Sequence, residues 1–416
     1  MKECIDIDTS QTEGSFLLQT PMRLCMHVRG VVRLDHRVMR EATALRDAGF
    51  AVTILDFEND LTRPVEEDLG GMHVKHIMKP NWLLPAHSRV GHLIKSTQKL
   101  VYTTIQLIRM PADIYHAHDD NALAACYIAA RWHRKLLIFD AHELPLNSLS
   151  DKRRSWLSAL LKNLFTRMIR NCAGIITVSS PIAQEICHLY HIPQVSLIRN
   201  LPVYQALPKS DRLRQHLGLS PSVKVALFQG NIDPNRGLDK LVHTAKFLDR
   251  DIVIVIMGKG VGVTPAELEA SAKSEGVTDR IRIIPPVPYE ELLNWTASAD
   301  IGLIVSSPDY SLNVRMSLPN KLFEYLMAGL PVLSSQLPAV AEVINTYDVG
   351  QIVSSLVPAE IAAAINAMLK DQAALERMHR NALEAARHEF YWEKEQLQLL
   401  QLYDEILKMQ HVKLKV

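Results

Sequence analysis

The sequence predicts an α/β protein made of two doubly wound, Rossmann-like domains, each with a parallel sheet. Three observations support this prediction. Short apolar runs typical of buried strands alternate with amphipathic helical patterns along most of the chain. A polar stretch that ends at Arg212 separates two α/β halves of similar size. The length of 416 residues is ample for two domains.

The first half contains the pattern of a parallel sheet. An amphipathic helix is expected over residues 35–48, and Gly49 is placed to end it. Strand, helix and strand then follow one another, which is the order of a parallel crossover unit. Strands are indicated by apolar runs at residues 22–28, 51–56, 113–117, 136–139, 173–180 and 196–199.

The second half repeats the alternation, with strands expected from about residue 224 and at 252–257, 281–284 and 300–305. The segment SLPNKLFEYLMAGLPVLSS then predicts a loop, a helix, a glycine stop and a further strand. Pro319 and Asn320 suit a helix start, and Gly329 suits its end. Ligands are expected near this helix, because they bind where parallel strands end.

The start of this helix predicts an anion site. Its unpaired amides and positive dipole favour a phosphate. Lys321 adds a full positive charge in the first turn, beside Asn320. Glu324, one turn on, is placed to accept two hydrogen bonds from a vicinal diol such as ribose. The alternative is a capped core helix whose Lys321 and Glu324 are only solvated.

A glycine loop follows the first strand of the second half, in KVALFQGNIDPNRGLDKLVHTA. Gly230 allows a backbone to approach a ligand closely, and Asn231 follows it. Arg236 is expected to open the next helix, where a guanidinium can bridge two phosphate oxygens. Gly258, after the following strand, suits close approach to a nucleotide. We expect Arg236 and Lys321 to meet at one diphosphate.

Two polar segments follow strands of the first half, HAHDDN and DAHE. They place His118, Asp119 and Glu143 at strand ends, which usually form the rim of a site. A structural role for a lone histidine is the alternative. The spacing of the histidines and carboxylates here fits no common zinc pattern, so no metal site is predicted.

Charge and composition exclude several classes of protein. The net charge of +1 gives no general attraction to nucleic acid. Five scattered cysteines without a CxxC pair favour a reducing compartment over a disulfide framework or a zinc site. No apolar run reaches transmembrane length, and the acidic, polar start does not resemble a signal peptide. We expect a cytoplasmic protein.

Two basic stretches without acidic residues stand out, at residues 69–112 and from Lys152 to Asn171. Basic amphipathic helices can lie on anionic membranes, which would make the protein peripheral at the inner face of the membrane. An ordinary helix with a core stripe and a solvated basic face is the alternative. A third interpretation is attraction of a phosphate-bearing acceptor.

PNKLFEYLMAGLPVLSSQLPAVAEVI, RLDHRVMREATALRDAGFAVTILDF, ADIYHAHDDNALAA and IFDAHELP resemble segments of the family 4 glycosyltransferases of the GT-B fold. The resemblance implies two domains facing across a cleft. It implies an acceptor-side domain over 21–204 with a returning helix over 390–416, and a nucleotide-sugar-binding domain over 205–389. It also implies that Arg236 grips the diphosphate, that Glu324 holds the ribose, and that backbone near Val287 faces the base. A disordered tail over 1–20 is expected from the acidic, polar composition of those residues.

The resemblance further implies that His118 faces the donor sugar, with Asp119, Glu143 and Arg33 on the acceptor side. Two positions depart from the family pattern. Met316 stands where the first glutamate of a Glu-x7-Glu pair is expected, and Asn231 stands where a second arginine is common. Phosphate binding then depends on Arg236 and Lys321.

The expected activity is retaining transfer of a hexosyl or N-acetylhexosaminyl group from a UDP- or GDP-sugar to an acceptor hydroxyl. The acceptor is expected to be a sugar, a lipid-linked compound or another small molecule of glycan biosynthesis, and not a nucleic acid. The nucleotide-sugar is a substrate, and no cofactor or metal is expected. A sugar-nucleotide epimerase or hydrolase of the same fold, a catalytically silent sugar-nucleotide-binding protein and a membrane-bound regulatory protein remain as alternatives.

Overall fold

The computed structural model describes residues 21–78, 89–145 and 156–413. The tail predicted over residues 1–20 and the first residues of the basic stretch from Lys152 lie outside the described residues. Among the described residues, no helix is both long and apolar enough to cross a membrane.

Strands and helices alternate along most of the chain. The strands are β1 Arg23–His27, β2 Ala51–Glu58, β3 Glu66–Asp68, β4 His73–Met78, β5 Ile114–His118, β6 Leu136–Ala141, β7 Gly174–Thr177, β8 Ser196–Leu197, β9 Lys224–Gln229, β10 Ile252–Met257, β11 Ile281–Ile284, β12 Ile301–Ile304, β13 Val332–Ser335 and β14 Gly350–Val353. The helices are α1 His36–Asp47, α2 Arg89–Ile108, α3 Asp120–His133, α4 Trp156–Arg170, α5 Ser180–Tyr190, α6 Arg212–Leu217, α7 Leu238–Thr244, α8 Pro265–Ser274, α9 Tyr289–Thr296, α10 Leu312–Met316, α11 Asn320–Met327, α12 Pro338–Tyr347, α13 Pro358–Lys370, α14 Gln372–His388 and α15 Trp392–Lys413.

The described strands form two sheets. The first has the order β3-β4-β2-β1-β5-β6-β7-β8, in which β4, β2, β1, β5 and β6 are parallel and β3 is antiparallel to β4. The second has the order β11-β10-β9-β12-β13-β14 and is parallel throughout. Two doubly wound parallel sheets confirm the predicted fold class.

Alternation along the strands of the second sheet builds a core on each of its faces. Val225 and Leu227 belong to one apolar cluster, and the intervening Ala226 and Phe228 belong to the other. Successive side chains of a strand point to opposite faces, so helices on both sides can bury them. Strands buried on both faces explain why the sequence shows continuous apolar runs here.

The chain divides into two compact units. Within the described residues, unit 1 comprises 21–78, 89–145, 156–176 and 399–413, and unit 2 comprises 177–398. The last helix, α15, therefore begins in unit 2 and ends in unit 1, and the returning helix expected over residues 390–416 stays a prediction. In unit 1 its Tyr403 hydroxyl lies 2.8 Å from Nδ1 of His116 on β5. The domain boundary predicted at residues 204 and 205 stays a prediction.

The structure adds features that the sequence analysis did not anticipate. Strand β4 falls within the basic stretch noted at residues 69–112, β3 lies just before that stretch, and neither of these strands nor β14 was predicted. Arg236 does not open a helix, because it ends a short 3-10 helix over Pro234–Arg236. Gly237 follows with φ +73°, and α7 begins at Leu238. A Cβ on Gly237 would lie 2.3 Å from the Val305 carbonyl oxygen, so this turn requires glycine.

Candidate active site

The candidate donor site of unit 2 lies at the point where the strand order reverses. β9 and β12 are neighbours in the sheet, but the chain proceeds from β9 to β10 on one side and from β12 to β13 on the other. Ligands of doubly wound sheets bind in the crevice at the carboxyl ends of such strands. Gly230 follows β9 at this edge, and α11 enters it between β12 and β13.

Lys321 is the central cation of this edge. Its side chain is buried in the first turn of α11, with Nζ 3.5 Å from the centroid of the Phe228 ring. A Cβ on Gly230 would lie 3.5 Å from both Cε and Nζ of Lys321, so the glycine loop runs directly past the ammonium group. Among the described residues, Lys321 Nζ forms no hydrogen bond or ion pair.

The pKa of Lys321 indicates a site whose positive charge is not fully neutralised within the protein. Burial, and then the positive charge of Arg236, lower the pKa of Lys321 well below its usual value, while Glu324 acts in the opposite direction. The influence of Arg236 on this pKa shows that the two cations interact electrostatically, and their meeting at one diphosphate stays a prediction. A bound diphosphate would relieve both the burial cost and the mutual repulsion.

Glu324 lies one turn further along α11 and is tied to β9. Its Oε2 accepts a hydrogen bond of 2.5 Å from Nε2 of Gln229, whose Oε1 accepts one of 2.7 Å from the Thr296 hydroxyl. Glu324 is only half-buried, so these contacts orient a carboxylate that solvent can still reach. No sequence pattern indicates Gln229 and Thr296, because they lie on different elements, β9 and α9, and share no motif.

The remaining predicted donor residues fall on the same unit. Gly258 is buried, and a Cβ there would lie 1.8 Å from the Gly230 carbonyl oxygen. Asn231 and Asn320 are exposed, and Val287 is half-buried against the apolar core. All of these residues lie near the carboxyl ends of the strands. Gly230 and Asn231 follow β9, Gly258 follows β10, Val287 lies in the loop after β11, and Asn320 begins α11. Their contacts with a donor stay predictions.

In unit 1, the predicted His118 belongs to a buried ionic network. The guanidinium of Arg37 on α1 donates two hydrogen bonds of 2.8 Å to Asp140 at the end of β6. His118 Nδ1 lies 3.2 Å from Asp140 Oδ2. Burial alone would raise the pKa of Asp140, but Arg37 and His142 hold it well below its usual value. Asp140 is therefore a fixed anion that orients the His118 ring.

His118 is fully buried, although a histidine that faces a substrate would be expected to be accessible. Its Nε2 has no hydrogen-bond partner among the described residues. Its ring stacks on that of His116, with centroids 4.3 Å apart. The role of His118 at a donor sugar stays a prediction, and it would require access to this buried nitrogen.

His142 is a further member of the network that was not among the predicted site residues. Its Nε2 lies 2.9 Å from Asp140 and its Nδ1 lies 3.3 Å from Asp119. Both nitrogens of the ring therefore face carboxylates, and such a pair of neighbours favours the charged imidazolium form. Burial opposes this charge, but Asp140 and Asp119 raise the pKa of His142 to about 9. His142 belongs to the same DAHE segment from which Glu143 was predicted as a site residue.

Asp119 occupies a strained backbone conformation, with φ 65° and ψ 166°. Such a conformation is nearly confined to glycine and persists only where the surroundings enforce it. The Asp119 carboxylate accepts a hydrogen bond of 3.1 Å from the backbone N–H of His142 and faces its ring. Asp119 thus joins the loops after β5 and β6, at the edge where the sequence placed it.

Four buried groups of this network offer atoms that could bind a metal ion. The ligand atoms of Glu41, His116, His118 and Asp140 lie within 4.8 Å of one another. However, the Arg37 guanidinium already contacts both carboxylates, at 3.1 Å for Glu41 and 2.8 Å for Asp140. A fixed cation therefore already supplies positive charge to the two acidic groups. The expectation that no metal is needed stays a prediction.

The other predicted acceptor-side residues are surface groups. Arg33 lies in a short 3-10 helix after β1 and forms an ion pair with Glu58. Glu143 is exposed in the loop after β6. Because Arg33 already has a carboxylate partner, an acceptor would have to compete with Glu58 for it.

A cavity of about 460 Å³ lies at the other end of the unit 2 sheet. Its lining includes Asp300, just before β12, and Pro331, just before β13. Substrates of doubly wound sheets bind at the carboxyl ends of the strands, so this cavity is not the candidate donor site.

Two family models match the chain in succession. The model described as Glycosyltransferase Family 4 matches residues 35–201, and the model described as Glycosyl transferases group 1 matches residues 209–385. The "D-inositol 3-phosphate glycosyltransferase" of Thermobispora bispora is 27% identical over 244 residues, which are 55% of each protein. That of Corynebacterium glutamicum is 26% identical over 72% of this chain and 74% of the relative. The chain spans about half the length of most of these relatives.

Solved structures share the fold at low identity. Sucrose-phosphate synthase from Thermosynechococcus elongatus superposes with a TM-score of 0.73 at 16% identity, covering 93% of this chain and 100% of that one. Anabaena HepE, solved in complex with UDP and glucose, has a TM-score of 0.70 at 15% identity, covering 92% and 100%. WaaG, a glycosyltransferase involved in lipopolysaccharide biosynthesis, has a TM-score of 0.64 at 16% identity, covering 90% and 98%.

Proposed function

Because the chain belongs to the family 4 glycosyltransferases of the GT-B fold, we propose that it transfers a sugar from a nucleotide-diphosphate donor to an acceptor hydroxyl with retained anomeric configuration. The donor is a UDP- or GDP-sugar that carries a hexosyl or N-acetylhexosaminyl group. The named activity of the D-inositol 3-phosphate relatives and the UDP complex of HepE support this class of reaction.

One observation carries the proposal: a buried lysine without an anionic partner at a helix start. Lys321 lies beside the Gly230 loop in the electrostatic range of Arg236, at the edge where doubly wound sheets bind ligands. In the proposed reaction the departing diphosphate accepts charge stabilisation from Lys321, Arg236 and the free amides at the start of α11. Preorganised donors of this kind lower the barrier because the charge develops where they already point.

The two cations also motivate the proposal that the reaction needs no metal ion. Two positive side chains and a helix start can neutralise the charge that a bound divalent ion would otherwise offset. We propose that Glu324, whose carboxylate accepts a hydrogen bond from Gln229, binds the ribose hydroxyls. On the acceptor side we propose His118, Asp119 and Glu143, and the leaving phosphate itself draws the acceptor proton. The nucleotide-sugar is then a substrate, and no cofactor takes part.

The test combines nucleotide binding with turnover. A thermal-shift panel of UDP, GDP and ADP identifies the base, and the matching sugar donors follow in a transfer assay with and without EDTA. We expect Lys321→Ala and Arg236→Ala to lower kcat/KM by roughly 10²–10³, as for other lost oxyanion donors. Glu324→Ala should raise the donor KM through loss of the ribose contact.

Lys273→Ala and Arg250→Ala serve as controls, since both residues are exposed and lie outside the site. Normal turnover at low donor by both Lys321→Ala and Arg236→Ala would refute the phosphate assignment. An unchanged KM in Glu324→Ala would remove its ribose role, and loss of activity in EDTA would refute metal independence.

A catalytically silent sugar-nucleotide-binding protein is the second candidate, and Met316 favours it. This residue ends α10, and its carbonyl oxygen accepts a hydrogen bond of 2.7 Å from the Ser179 hydroxyl. Its thioether side chain offers a donor sugar no carboxylate, unlike the glutamate expected at this position. Nucleotide binding without turnover over the whole donor panel would support this candidate. Release of free sugar without acceptor would instead indicate a hydrolase or epimerase.

We also propose that the protein is cytoplasmic and touches the inner face of a membrane through α2 and α4. Both helices carry three basic and no acidic residues. Exposed apolar side chains accompany these charges on both helices. The combination is typical of helices that lie in an anionic interface.

A further inference from the structure

The cavity at the amino-terminal end of the unit 2 sheet lies outside the candidate donor site, and we call it the α14 cavity. A stripe of α14 lines it: Gln372, Leu375, Glu376, His379 and Leu383. Residues 207–211, which precede α6, also line it, and all of its lining residues belong to unit 2. Its volume of about 460 Å³ falls within the roughly 300–1,000 Å³ that is typical of small-molecule sites.

Two helices of unit 2 end at the α14 cavity. α11 ends at Met327, and the next residue, Ala328, lines the cavity. α9 ends at Thr296, and the next residue, Ala297, lines it as well. The carboxyl ends of helices carry partial negative charge, so they favour a positively charged ligand.

The carbonyl oxygen of Ala328 accepts no hydrogen bond from the described part of the chain. In a continuing helix its donor would be the N–H of Val332, which instead donates to the Val349 carbonyl oxygen over 3.0 Å. Pro331, one residue earlier, has no N–H. Because Ala328 is only 6% exposed, a ligand that donates a hydrogen bond would satisfy an otherwise poorly solvated oxygen.

His379 presents a second acceptor to the α14 cavity. Its Nδ1 lies 2.5 Å from the Gly329 carbonyl oxygen. Because a carbonyl oxygen only accepts hydrogen bonds, Nδ1 carries a proton, and in the neutral ring Nε2 is then an acceptor. The side chain of His379 is half-buried in the lining, so a ligand in the cavity can reach it.

The charged side chains of the lining leave the α14 cavity with a net charge of −1 when His379 is neutral. Three carboxylates and two basic side chains contribute: Asp211, Asp300, Glu376, Lys209 and Arg214. The guanidinium of Arg214 is already bound by Asp211, Asp300 and two backbone carbonyl oxygens. Lys209 is exposed, so solvent and salt screen its charge.

Glu376 is the carboxylate that is available to a ligand. Among the described residues it forms no hydrogen bond or ion pair, whereas Asp211 and Asp300 both contact Arg214. The groups that a ligand can engage are therefore mostly acceptors: a carbonyl oxygen, an imidazole nitrogen and a carboxylate. They lie on two elements, α14 and the end of α11, so one ligand with several donors can engage both.

We propose that the α14 cavity binds an organic polyamine, a molecule in which ammonium groups alternate with short apolar chains. Its ammonium groups donate to the Ala328 carbonyl oxygen, His379 Nε2 and Glu376. Its methylene groups contact the apolar side chains of the lining, which include Leu330, Leu375 and Leu383. The bound cation stabilises the carboxyl end of α11. This inference goes beyond the proposed transferase activity and does not depend on it.

The first experiment is isothermal titration of spermidine into the full-length protein at constant ionic strength. Choline and Mg²⁺ are the comparison ligands, since choline has a positive charge without an N–H donor and Mg²⁺ has no apolar chain. We expect one spermidine to bind per chain, and the other two cations to bind roughly tenfold more weakly or not at all. No binding of spermidine, or equal binding of all three cations, would overturn the inference.

Glu376→Gln should weaken the binding of spermidine several-fold, and Glu376→Lys should weaken it further, because it places a repelled charge in the lining. Glu376 is exposed, so we expect both variants to fold. Glu384→Gln and Glu384→Lys are the matched controls, since Glu384 is an exposed residue of α14 outside the cavity. These controls should bind spermidine like the wild type. Wild-type affinity in Glu376→Lys would overturn the inference.

Hydrogen exchange locates the bound amine independently of the variants. We expect spermidine to slow exchange in peptides that cover residues 324–330 and in those of α14, in the wild type and in Glu384→Lys but not in Glu376→Lys. Slower exchange that is confined to other parts of the chain would place the amine elsewhere and overturn the assignment to the α14 cavity.

Discussion

At the scale of single residues, the function of this chain depends on charges held in defined places without full neutralisation. Lys321 is buried beside Arg236, and His142 is an imidazolium between two carboxylates. The first is a cation without an anionic partner, which suits a substrate phosphate. The second is fully paired within the protein, so it stabilises the loops around it and does not need a substrate.

The pairing of His142 predicts a dependence of stability on pH. The folded-state pKa of about 9 lies above the value of 6.5 for an ordinary histidine. The stabilisation is therefore complete below about pH 6.5 and is lost as the pH rises through 9, by roughly 3 kcal/mol at 1.36 kcal/mol per pKa unit. Thermal melting at pH 6, 7, 8 and 9 should show the wild type losing more stability than His142→Gln over this range.

His188→Gln is the control for this experiment, because His188 is exposed on α5. This variant should follow the wild-type profile. If His142→Gln loses stability between pH 6.5 and 9 as steeply as the wild type, then His142 is not the group that titrates there.

At the scale of secondary structure elements, α11 is anchored to the sheet by one phenol. The Tyr325 hydroxyl donates to the Leu227 carbonyl oxygen over 3.0 Å and accepts from the backbone N–H of Gln229 over 3.1 Å. Gln229 also orients Glu324 through its side chain. Tyr325 therefore fixes the position of α11 on β9, and the neighbouring Gln229 side chain orients the Glu324 carboxylate that we propose for the ribose.

Tyr325→Phe removes this anchor and leaves a buried N–H and a buried carbonyl with reduced hydrogen bonding. We expect a loss of about 1–3 kcal/mol in the free energy of unfolding of unit 2. Tyr310→Phe is the matched control, since Tyr310 is 52% exposed, and it should change stability by less than about 0.5 kcal/mol. Urea denaturation measures both. Equal stability of the two variants would show that the phenol does not anchor the helix.

At the scale of the whole molecule, a nearly neutral chain carries a strongly asymmetric surface. The net charge is +1, but α2 and α4 of unit 1 combine basic residues with exposed apolar ones. Val101 is 52% exposed and Leu164 is 49% exposed. Apolar side chains that face solvent beside positive charge are the two components of binding to an anionic bilayer surface.

We expect the protein to float with liposomes that contain anionic lipid, and to stay in solution with neutral ones. Raising the salt concentration should weaken the attachment, because it screens the basic residues. Val101→Glu and Leu164→Glu should each reduce the floated fraction several-fold, since they place a repelled charge in the apolar contact.

Val357→Glu is the matched control for flotation, because Val357 is also 52% exposed but lies in unit 2. It should float like the wild type. A wild-type protein that stays in solution with anionic liposomes at low salt would contradict the membrane proposal and leave the soluble assays unaffected.

The sequence by itself determined the order of strands and helices, the glycine stops and the cationic start of α11. These features depend on neighbours within a few residues, such as the apolar period of α11 and the positive φ of Gly329 at its end. Residues 252–257 and 281–284 form strands as predicted, because buried parallel strands appear as continuous apolar runs.

Only the tertiary structure decided which charges are available to a substrate. Arg33 was selected from sequence and is paired with Glu58, whereas Lys321, also selected, is buried without an anionic partner among the described residues. Arg37 and Asp140 are 103 residues apart and still form the central ion pair of unit 1. Such pairs follow from the strand order, because only that order brings the ends of β1, β5 and β6 together, and no local pattern encodes it.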